Sequence, residues 1–457
     1  MTTKTTWATS DKGAFVRDTS KFRNWIEADA NAEFPAEANR YHLYISLACP
    51  WAHRTLATVY LKGLQDLIGV SIVHPVFQRT RPNDPNDQHM SWAFVDPAKT
   101  PTLPGPSGLG AYSSEGAIPD TINHTNFVRD LYELCSEGNT RYTVPVLWDK
   151  VKKTIVSNES ADIVRMLNTA FQHIVPSQID LYPAELRAEI DAINEWVYND
   201  INNGVYKCGF CSSQEAYDEA VTNLFNALDR VEAILGKQRY LVGNVFTEAD
   251  LRLFTTLIRF DEVYFVHFKT NKRMIKDYPN LSNYTREIYQ FPPVTKTVNM
   301  QHIKLHYYGS HTHLNSFGIV PVGPNVDFTA KHDRDRFTNA QAPLLIGRVH
   351  CNNRVCRSGC KQESMWVERQ ARHRSNALAE EAFVVSDERQ LLTITAKHLD
   401  ELVVRAAADP STTSKTRAVM GERCASSERT LVFEYRKSQN LSSPETDPVS
   451  SSCRAWL

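Results

Sequence analysis

The spacing of the hydrophobic residues changes along the chain and predicts two kinds of structure. Up to about residue 175, short apolar runs are separated by helical segments, and every second residue from Tyr41 to Leu47 is apolar. This alternation predicts a strand of about seven residues. From Ala184 onward, apolar residues recur at spacings of three and four, which predicts amphipathic helices. The change of period predicts an α/β domain followed by an all-α domain.

The first predicted strand runs directly into a lone cysteine, a proline and a helix. The segment Tyr41–Arg54 reads YHLYISLACPWAHR, and Pro50 suits the first helical turn because its missing N–H has no partner there. Cys49 is therefore expected at a helix N-terminus, where the helix dipole and free N–H groups favour a thiolate and lower the thiol pKa. The third residue after Cys49 is Ala52, so the site is not a C-x-x-C dithiol. Cys49 is expected to form a mixed disulfide with an outside thiol; the alternative is an inert buried cysteine.

The first half of the chain contains further strands and one long polar loop. Strands are predicted over Val70–Phe77, Tyr142–Asp149 and Thr154–Ser157, and a helix over Ala161–Leu167. The segment Gln78–Tyr112 is polar and rich in Pro, Asn and Asp. A loop of this length inside a compact domain is usually functional, so ligand-binding residues are expected in it.

The second half is predicted to be helical. Gln214–Leu235 carries its apolar residues on one face and predicts a long helix. In FTEADLRLF, Thr247 and Asp250 have the spacing of a capping box, in which each side chain binds the backbone N–H of the other residue. A folding role is therefore expected for Asp250, and not a catalytic one.

Composition narrows the class of protein. The 457 residues include 51 Lys and Arg against 52 Asp and Glu, so the formal net charge of −1 does not favour a nucleic acid or a membrane surface as partner. The first residues lack an apolar leader, and no run of eighteen apolar residues occurs. Nine cysteines at irregular spacing predict no disulfide framework. A reducing, glutathione-rich compartment is expected, which indicates a cytoplasmic protein.

The two ends differ from the middle. Residues 1–40 contain scattered aromatic residues among charges, which predicts an arm packed over the first domain. Residues 338–457 are rich in Ser, Thr and Arg, and one helix is predicted there, over Leu391–Ala407. The rest of this extension is expected to be poorly ordered and dispensable for catalysis. The segment HCNNRVCRSGC at 350–360 leaves a small metal site as an alternative.

The sequence resembles the glutathionyl-hydroquinone reductases, also called the Xi class of glutathione transferases. The resemblance spans roughly Asp18–Phe337 and rests on a series of motifs in the order of the family. They are CPWAHR at 49–54, SWAF at 91–94, RDLYE at 129–133, YTVPVLWD at 142–149, NES at 158–160, WVYNDINNGVYKCGF at 196–210 and HIKLHYYGSHTHLN at 302–315.

The resemblance implies a domain plan. The arm over 1–40 would precede a thioredoxin-like, glutathione-binding domain over 41–175. An all-helical glutathione-transferase domain would follow over 176–337, and 338–457 would be the extension without a counterpart. It also implies a homodimer formed largely by the helical domain.

Five residues are implied to bind glutathione. Trp92 would lie against the tripeptide, and Arg129 would pair with one of its carboxylates. Val144, before a cis proline, would pair its main chain with the cysteine portion. Glu159 would bind the ammonium group and the helix N-terminus at Ser160 the carboxylate of the γ-glutamyl group. Core packing for Trp92, a solvated helix face for Arg129 and a local helix cap for Ser160 remain open.

Tyrosines of the last two motifs are implied to line the acceptor pocket and to bind the phenolic oxygens of a hydroquinone. Tyr198 and Tyr307 match those positions, and Tyr206 lies in the same motif as Tyr198. Whether Tyr307 or Tyr308 faces the pocket remains open. The histidines of the last motif suggest a metal, but no carboxylate or cysteine completes a set at fixed spacing, so no metal is expected.

The sequence therefore predicts an enzyme that reduces glutathionyl-hydroquinones to hydroquinones with glutathione as co-substrate. A Cys49–glutathione mixed disulfide would form and a second glutathione would resolve it. A general cysteine-type thioltransferase or dehydroascorbate reductase of the omega kind would use Cys49 in the same way and differ in its acceptor pocket. A non-enzymatic interaction module, with an unreactive Cys49, is the third hypothesis.

Overall fold

The computed structural model describes residues 9–17, 19–135 and 141–337, together with the backbone of three strands at 391–396, 429–434 and 455–456. The chain divides into two compact units, Met1–Arg348 and Val349–Leu457. The first unit contains every residue that the sequence places in the site. No helix in the described part of the chain is long and apolar enough to cross a membrane.

The first unit begins with a mixed four-stranded sheet in the order β2-β1-β7-β8. Strand β1 pairs in parallel with β2 and antiparallel with β7, and β7 pairs antiparallel with β8. This is the predicted thioredoxin-like arrangement. The strands of the first unit are β1 (Tyr41–Ile45), β2 (Gly69–Ile72), β3 (Gln78–Arg79), β4 (Met90–Ser91), β5 (Thr102–Leu103), β6 (Tyr112–Ser113), β7 (Val146–Asp149) and β8 (Thr154–Ser157).

Eleven α-helices in the described residues surround the sheet or build the second domain. They are α1 (Pro50–Leu61), α2 (Val128–Cys135), α3 (Ser160–Thr169), α4 (Arg187–Trp196), α5 (Gly204–Phe210), α6 (Gln214–Leu235), α7 (Glu248–Arg259), α8 (Phe265–His267), α9 (Pro279–Tyr289), α10 (Pro292–Thr295) and α11 (Met300–Ser310). Two π-helical segments, Val197–Asn202 and Phe260–Tyr264, interrupt the helical domain, and short 3-10 turns lie at Ala184–Leu186, Ile275–Asp277 and Arg334–Arg336.

Strand β1 is shorter than predicted and is buried on both faces. All five of its residues are buried, because β1 lies in the middle of the sheet with side chains covering both sides. Its polar groups find partners there: His42 Nε2 lies 2.9 Å from Ser71 Oγ, and the Tyr44 hydroxyl donates to Asp120 at 2.8 Å. Buried polar groups need such partners, since an unpaired one costs about 1–3 kcal/mol.

Helix starts follow their sequence signals. Helix α6 has the predicted bounds, and its N-cap Ser213 accepts a hydrogen bond from the Ala216 N–H. Helix α7 begins with the predicted capping box, in which Asp250 accepts from the Thr247 N–H at 2.9 Å. Asp250 also accepts from the Tyr284 hydroxyl at 2.8 Å, so its contacts are those of a structural residue.

The arm packs against the first domain. The Asn24 N–H donates to Val156 at 3.0 Å, and the Phe22 carbonyl accepts from the Asn158 N–H at 3.1 Å. Arg23 forms an ion pair with Asp162 at 2.7 Å. These contacts lay the arm along β8 and across the start of α3.

One predicted element of the extension is wrong. The segment Leu391–Ala396 forms a strand, β9, that pairs antiparallel with β10 (Arg429–Glu434), and β10 pairs with β11 (Ala455–Trp456). The sequence LLTITA contains three consecutive β-branched residues, which favour a strand over a helix. Residues 397–407 of the predicted helix, most of the extension and the cysteine cluster at 350–360 lie outside the described residues.

Candidate active site

Cys49 lies where β1 leads into α1. It is the N-cap residue of α1, with Pro50 in the first turn, and 9% of its surface is exposed. Its sulfur lies 3.6 Å from the carbonyl oxygen of Val144, and the Val144–Pro145 peptide bond is cis, as the resemblance implied. The fold therefore joins two predicted site residues, the thiol and the Val144 main chain, that are 95 positions apart in sequence.

The thiol pKa of Cys49 differs from the prediction. Burial raises the pKa, and this effect outweighs the backbone N–H groups of Ala52 and Trp51, which lower it. The positive charges of Arg259 and Arg17 also lower it. The predicted helix effect is present, but removing the sulfur from water is the larger influence in the free protein.

Three tyrosine hydroxyls meet in the helical domain, and one of them, that of Tyr206, is within electrostatic reach of the Cys49 thiol. The Tyr307 hydroxyl lies 2.6 Å from that of Tyr206 and 3.0 Å from that of Tyr264, and all three side chains are buried. Burial raises the pKa of Tyr206, and negative charge on Cys49 raises it further, which places the two groups within electrostatic reach. We call Tyr206, Tyr264 and Tyr307 the tyrosine cluster.

The neighbouring Tyr308 has a different environment. Its hydroxyl donates to the backbone carbonyls of Glu262 and Val263, at 3.2 and 3.3 Å, within the helical domain. Tyr307 is therefore the member of the pair whose hydroxyl joins the tyrosine cluster. That Tyr307 faces the substrate stays a prediction.

Tyr198 is not brought together with Tyr307. It lies in the π-helical segment Val197–Asn202, is 42% exposed, and contacts the ring of Trp51 edge-on with centroids 5.7 Å apart. In the motif at 196–210, the buried partner of Tyr307 is Tyr206. The change from π-helix to α5 between the two tyrosines explains why helical spacing did not separate them.

The arm supplies two residues that the sequence did not single out as site residues. The Phe15 ring is buried and packs on the rings of Tyr206 and Phe210, with centroids 6.4 and 5.9 Å away. The Arg17 guanidinium lies 4.2 Å from the centre of the Trp51 ring, within the range of a cation–π contact. The only signal for either residue was the density of aromatic side chains in the arm.

The predicted γ-glutamyl site lies at the start of α3. Ser160 is the first residue of that helix and is 3% exposed, and Glu159 is its N-cap. Glu159 accepts from the Ala161 N–H at 3.1 Å and from the Ser20 hydroxyl of the arm at 2.9 Å. The local helix cap is therefore the Glu159 side chain, and not that of Ser160. The same carboxylate is the one predicted to bind the ammonium group.

Trp92 has a buried ring between two aromatic neighbours. It meets Phe77 edge-on at 4.6 Å and stacks on His306 at 4.5 Å, measured between ring centroids. Trp92 belongs to the same hydrophobic cluster as Cys49. Core packing is thus one role of Trp92, in a position next to the site.

Arg129 is already paired inside the protein. Its guanidinium lies 2.5 Å from Asp87 and 2.6 Å from Glu133, and it donates to the Thr80 hydroxyl at 3.1 Å. A glutathione carboxylate that binds Arg129 would therefore join a guanidinium that already pairs with two protein carboxylates.

Nine histidines have a lowered pKa, and seven of them are buried, whereas His89 is half-buried and His313 is exposed. Desolvation lowers the pKa to about 3 for His267 and His306. The others are His42, His53, His74, His89, His302, His311 and His313. Within residues 9–17, 19–135 and 141–337, no group of three or more His, Cys, Asp or Glu side chains is arranged to hold a metal ion.

Comparison with known proteins places this geometry in context. Models of the glutathione S-transferase N-terminal and C-terminal domains match residues 48–170 and 214–287. The glutathionyl-hydroquinone reductase YqjG of Escherichia coli is 47% identical over 333 residues, which cover 71% of this chain and 94% of that protein. The glutathionyl-hydroquinone reductase PcpF of Sphingobium chlorophenolicum is 44% identical over 316 residues, which cover 69% of this chain and 91% of PcpF.

Solved structures agree with these relatives. The glutathione-bound structure of YqjG matches with a TM-score of 0.61 and 47% identity, over 69% of this chain and 96% of that one. The glutathione S-transferase Xi of Phanerochaete chrysosporium matches with a TM-score of 0.63 and 47% identity, over 71% of this chain and 97% of that one.

Proposed function

The chain belongs to the glutathionyl-hydroquinone reductases, the Xi class of the glutathione transferase superfamily, and from this we propose that it removes glutathione from glutathionyl-hydroquinones through a mixed disulfide on Cys49. The observation that carries the proposal is the position of Cys49. Its sulfur lies at the N-terminus of α1, faces the Val144 carbonyl and is within electrostatic reach of the tyrosine cluster.

The first step breaks the thioether of the substrate. The Cys49 thiolate attacks the glutathione sulfur, a sulfur–sulfur bond forms, and the bond between that sulfur and the aromatic carbon breaks. The aromatic carbon keeps the electron pair and takes up one proton, which yields the hydroquinone. The backbone N–H groups of Ala52 and Trp51, together with Arg259 and Arg17, stabilise the thiolate against the cost of burial.

The second step regenerates the enzyme. The thiolate of another glutathione attacks the glutathione sulfur of the mixed disulfide, glutathione disulfide leaves, and the Cys49 thiolate returns. The net reaction consumes one glutathionyl-hydroquinone and one glutathione, and it produces one hydroquinone and one glutathione disulfide. The substrate is reduced and the two glutathione sulfurs are oxidised, so no further redox partner is required.

The tyrosine cluster is proposed to serve the acceptor half of the substrate. Tyr206 and Tyr307 share a hydrogen bond of 2.6 Å, so either hydroxyl can donate to a phenolic oxygen while the other orients it. Such donors stabilise the charge that develops as the carbon–sulfur bond breaks, and they supply the proton or its nearest relay. Tyr198, at the exposed edge of Trp51, is proposed to line the entrance of the same pocket.

The glutathione half is proposed to lie along the first domain. The Val144 main chain would pair with the cysteine portion, and the N-terminus of α3 at Ser160 would receive the γ-glutamyl carboxylate. Glu159 would bind the ammonium group, Trp92 would flank the tripeptide, and Arg129 would pair with a carboxylate of glutathione. We further propose that the enzyme acts as a homodimer in the cytoplasm, where glutathione is abundant.

Two variants and two substrates test the proposal. Cys49→Ala is expected to abolish turnover of glutathionyl-menadiol and leave glutathione affinity largely in place, whereas Cys211→Ala, at another free cysteine, should keep turnover. Mass spectrometry after incubation with substrate should find one glutathione adduct, on Cys49. Residual turnover by Cys49→Ala, or an adduct on Cys211, would refute the mechanism. Faster turnover of a small glutathione mixed disulfide than of glutathionyl-menadiol would favour a general thioltransferase.

A further inference from the structure

A buried arginine of the helical domain holds the turn that carries Cys49. Arg259, the last residue of α7, is fully buried, and its Nε donates to the Ala48 carbonyl at 2.8 Å. One terminal nitrogen, Nη2, donates to the Leu47 carbonyl at 3.0 Å. These two carbonyls immediately precede the nucleophile in the chain. Arg259 therefore fixes the backbone from which Cys49 projects, although the two residues are 210 positions apart.

The same guanidinium also forms a hydrogen bond with a side chain of α1. Its Nη1 lies 3.1 Å from Nδ1 of His53 and donates to the Thr255 carbonyl at 2.6 Å. A guanidinium only donates, so Nδ1 of His53 accepts and the ring proton lies on Nε2. That nitrogen is 2.8 Å from the hydroxyl of Thr297, which also belongs to the helical domain. His53 therefore bonds to the helical domain through both of its ring nitrogens. The turn and the first helix are thus clamped from two sides.

Arg259 forms no ion pair with any carboxylate in the part of the chain that the structure describes. All its contacts are with backbone carbonyls and one neutral histidine ring. Its positive charge is therefore not neutralised locally, and a buried charge acts over a longer range than one in water. The groups within its reach include the Cys49 thiol, the hydroxyls of Tyr264 and Tyr307, and the His306 ring.

We propose that Arg259 is a positioning residue of the reaction, which fixes the Leu47–Cys49 turn through two carbonyls and provides the buried positive charge opposite the thiolate. This inference rests on Cys49 being the nucleophile of the proposed function. Arg17 of the arm also acts on the thiol as a cation, and the uncharged Tyr206 on α5 is within electrostatic reach of it. Arg259 differs from Arg17 in being fully enclosed, so its charge is not screened by solvent.

Alkylation of Cys49 by iodoacetamide tests the charge without any quinone. Because the thiolate is the reactive form, the rate as a function of pH reports the thiol pKa. We expect Arg259→Met to raise the apparent pKa by about 1 and to slow alkylation at neutral pH about tenfold. Peptide mass spectrometry assigns the alkylated residue, so a failure of the proposed function, with turnover independent of Cys49, is distinguishable from a failure of this inference.

Arg259→Lys separates the effect of the positive charge from the effect of the hydrogen bonds that hold the turn. Lysine keeps the charge but cannot reach both carbonyls and the histidine in the planar geometry of arginine. We expect it to retain an alkylation profile close to that of the wild type, while kcat for glutathionyl-menadiol falls about tenfold because the nucleophile is less well placed, with KM for glutathione little changed. If Arg259→Met does not fold, this variant decides, and a wild-type kcat would overturn the proposal.

Arg334 provides a matched control. It is also fully buried and also donates to three backbone carbonyls, those of Leu235, Gln238 and Arg239, at 2.6–2.8 Å. We expect Arg334→Lys to lower the melting temperature but to leave both the alkylation profile and kcat of the folded enzyme unchanged. A folded Arg259→Met with the alkylation profile of the wild type, or an Arg334→Lys that shifts this profile equally, would refute a specific role for Arg259.

Discussion

Replacing Tyr307 by Phe tests the role of the tyrosine cluster most directly. The change removes one hydroxyl that is shared by Tyr206 at 2.6 Å and Tyr264 at 3.0 Å and fills nearly the same volume. Two buried hydrogen bonds are lost, so the free energy of unfolding should fall by about 2 kcal/mol. Positioned acids and hydrogen-bond donors contribute about 10²–10⁴ in rate, and because Tyr206 still has its hydroxyl, we expect kcat to fall by about 10².

Tyr308→Phe is the control. Tyr308 is adjacent in sequence and also buried, but its hydroxyl donates only to the backbone carbonyls of Glu262 and Val263. Its loss should cost about 1 kcal/mol of stability and leave kcat within about twofold of the wild type. Steady-state turnover of glutathionyl-menadiol, with circular dichroism to confirm folding, measures both effects. If Tyr308→Phe lost as much turnover as Tyr307→Phe, the assignment of Tyr307 to the substrate would be wrong.

Three further predictions use other parts of the structure. Tyr206→Phe should lower kcat about 10²-fold, whereas Tyr198→Phe, at the exposed edge of Trp51, should change kcat by less than about threefold. If the same turnover assay gave the reverse order, Tyr198 would be the residue that binds the acceptor. Asp250→Ala removes the acceptor of four buried hydrogen bonds and should cost about 3 kcal/mol in denaturant unfolding, with kcat of the folded enzyme retained. A selective loss of kcat would instead point to a catalytic carboxylate. Stability should also fall on acidification below pH 6.5. The seven buried histidines stay neutral in the folded state while the unfolded state binds protons, and each contributes up to about 1.4 kcal/mol per pH unit until its folded pKa is reached. Burial raises the pKa of Asp250 and Asp261 to about 6, so these two groups increase stability on acidification between about pH 6 and 4. They are only two groups, so a melting temperature that rises between pH 6.5 and 5 would contradict the histidine argument.

Local signals in the sequence predicted the position of the proposed nucleophile. The order strand, cysteine, proline, helix is short, and each part has its own physical reason, so Cys49 could be placed at the N-terminus of α1 without knowledge of the fold. The same holds for Thr247 and Asp250, which cap α7 through atoms three residues apart. Predictions of this kind depend only on neighbours along the chain.

Other features depended on contacts between distant segments. The sign of the pKa shift at Cys49 was predicted from the helix dipole alone, and burial by the surrounding domain reversed it. The predicted strand over Val70–Phe77 ends at Ile72, because the His74 N–H turns away to the Ala93 carbonyl. The strand expected from Tyr142 begins at Val146, since Pro145 has no N–H to pair.

The choice between Tyr198 and Tyr206 shows why helical periodicity alone cannot assign a pocket. The pattern of α4 predicts which face of that helix is buried, but a π-helical segment follows directly, and α5 then begins at Gly204 after a turn at Asn203. Each such change alters the rotation per residue. The buried face of α4 therefore cannot be extended by helical periodicity across residues 196–210. What separates the two tyrosines is their partners: Tyr206 is covered by Phe15 of the arm and bonded to Tyr307 of α11. The acceptor side that we propose is thus built from three segments that only the tertiary fold brings together, and the arm is one of them.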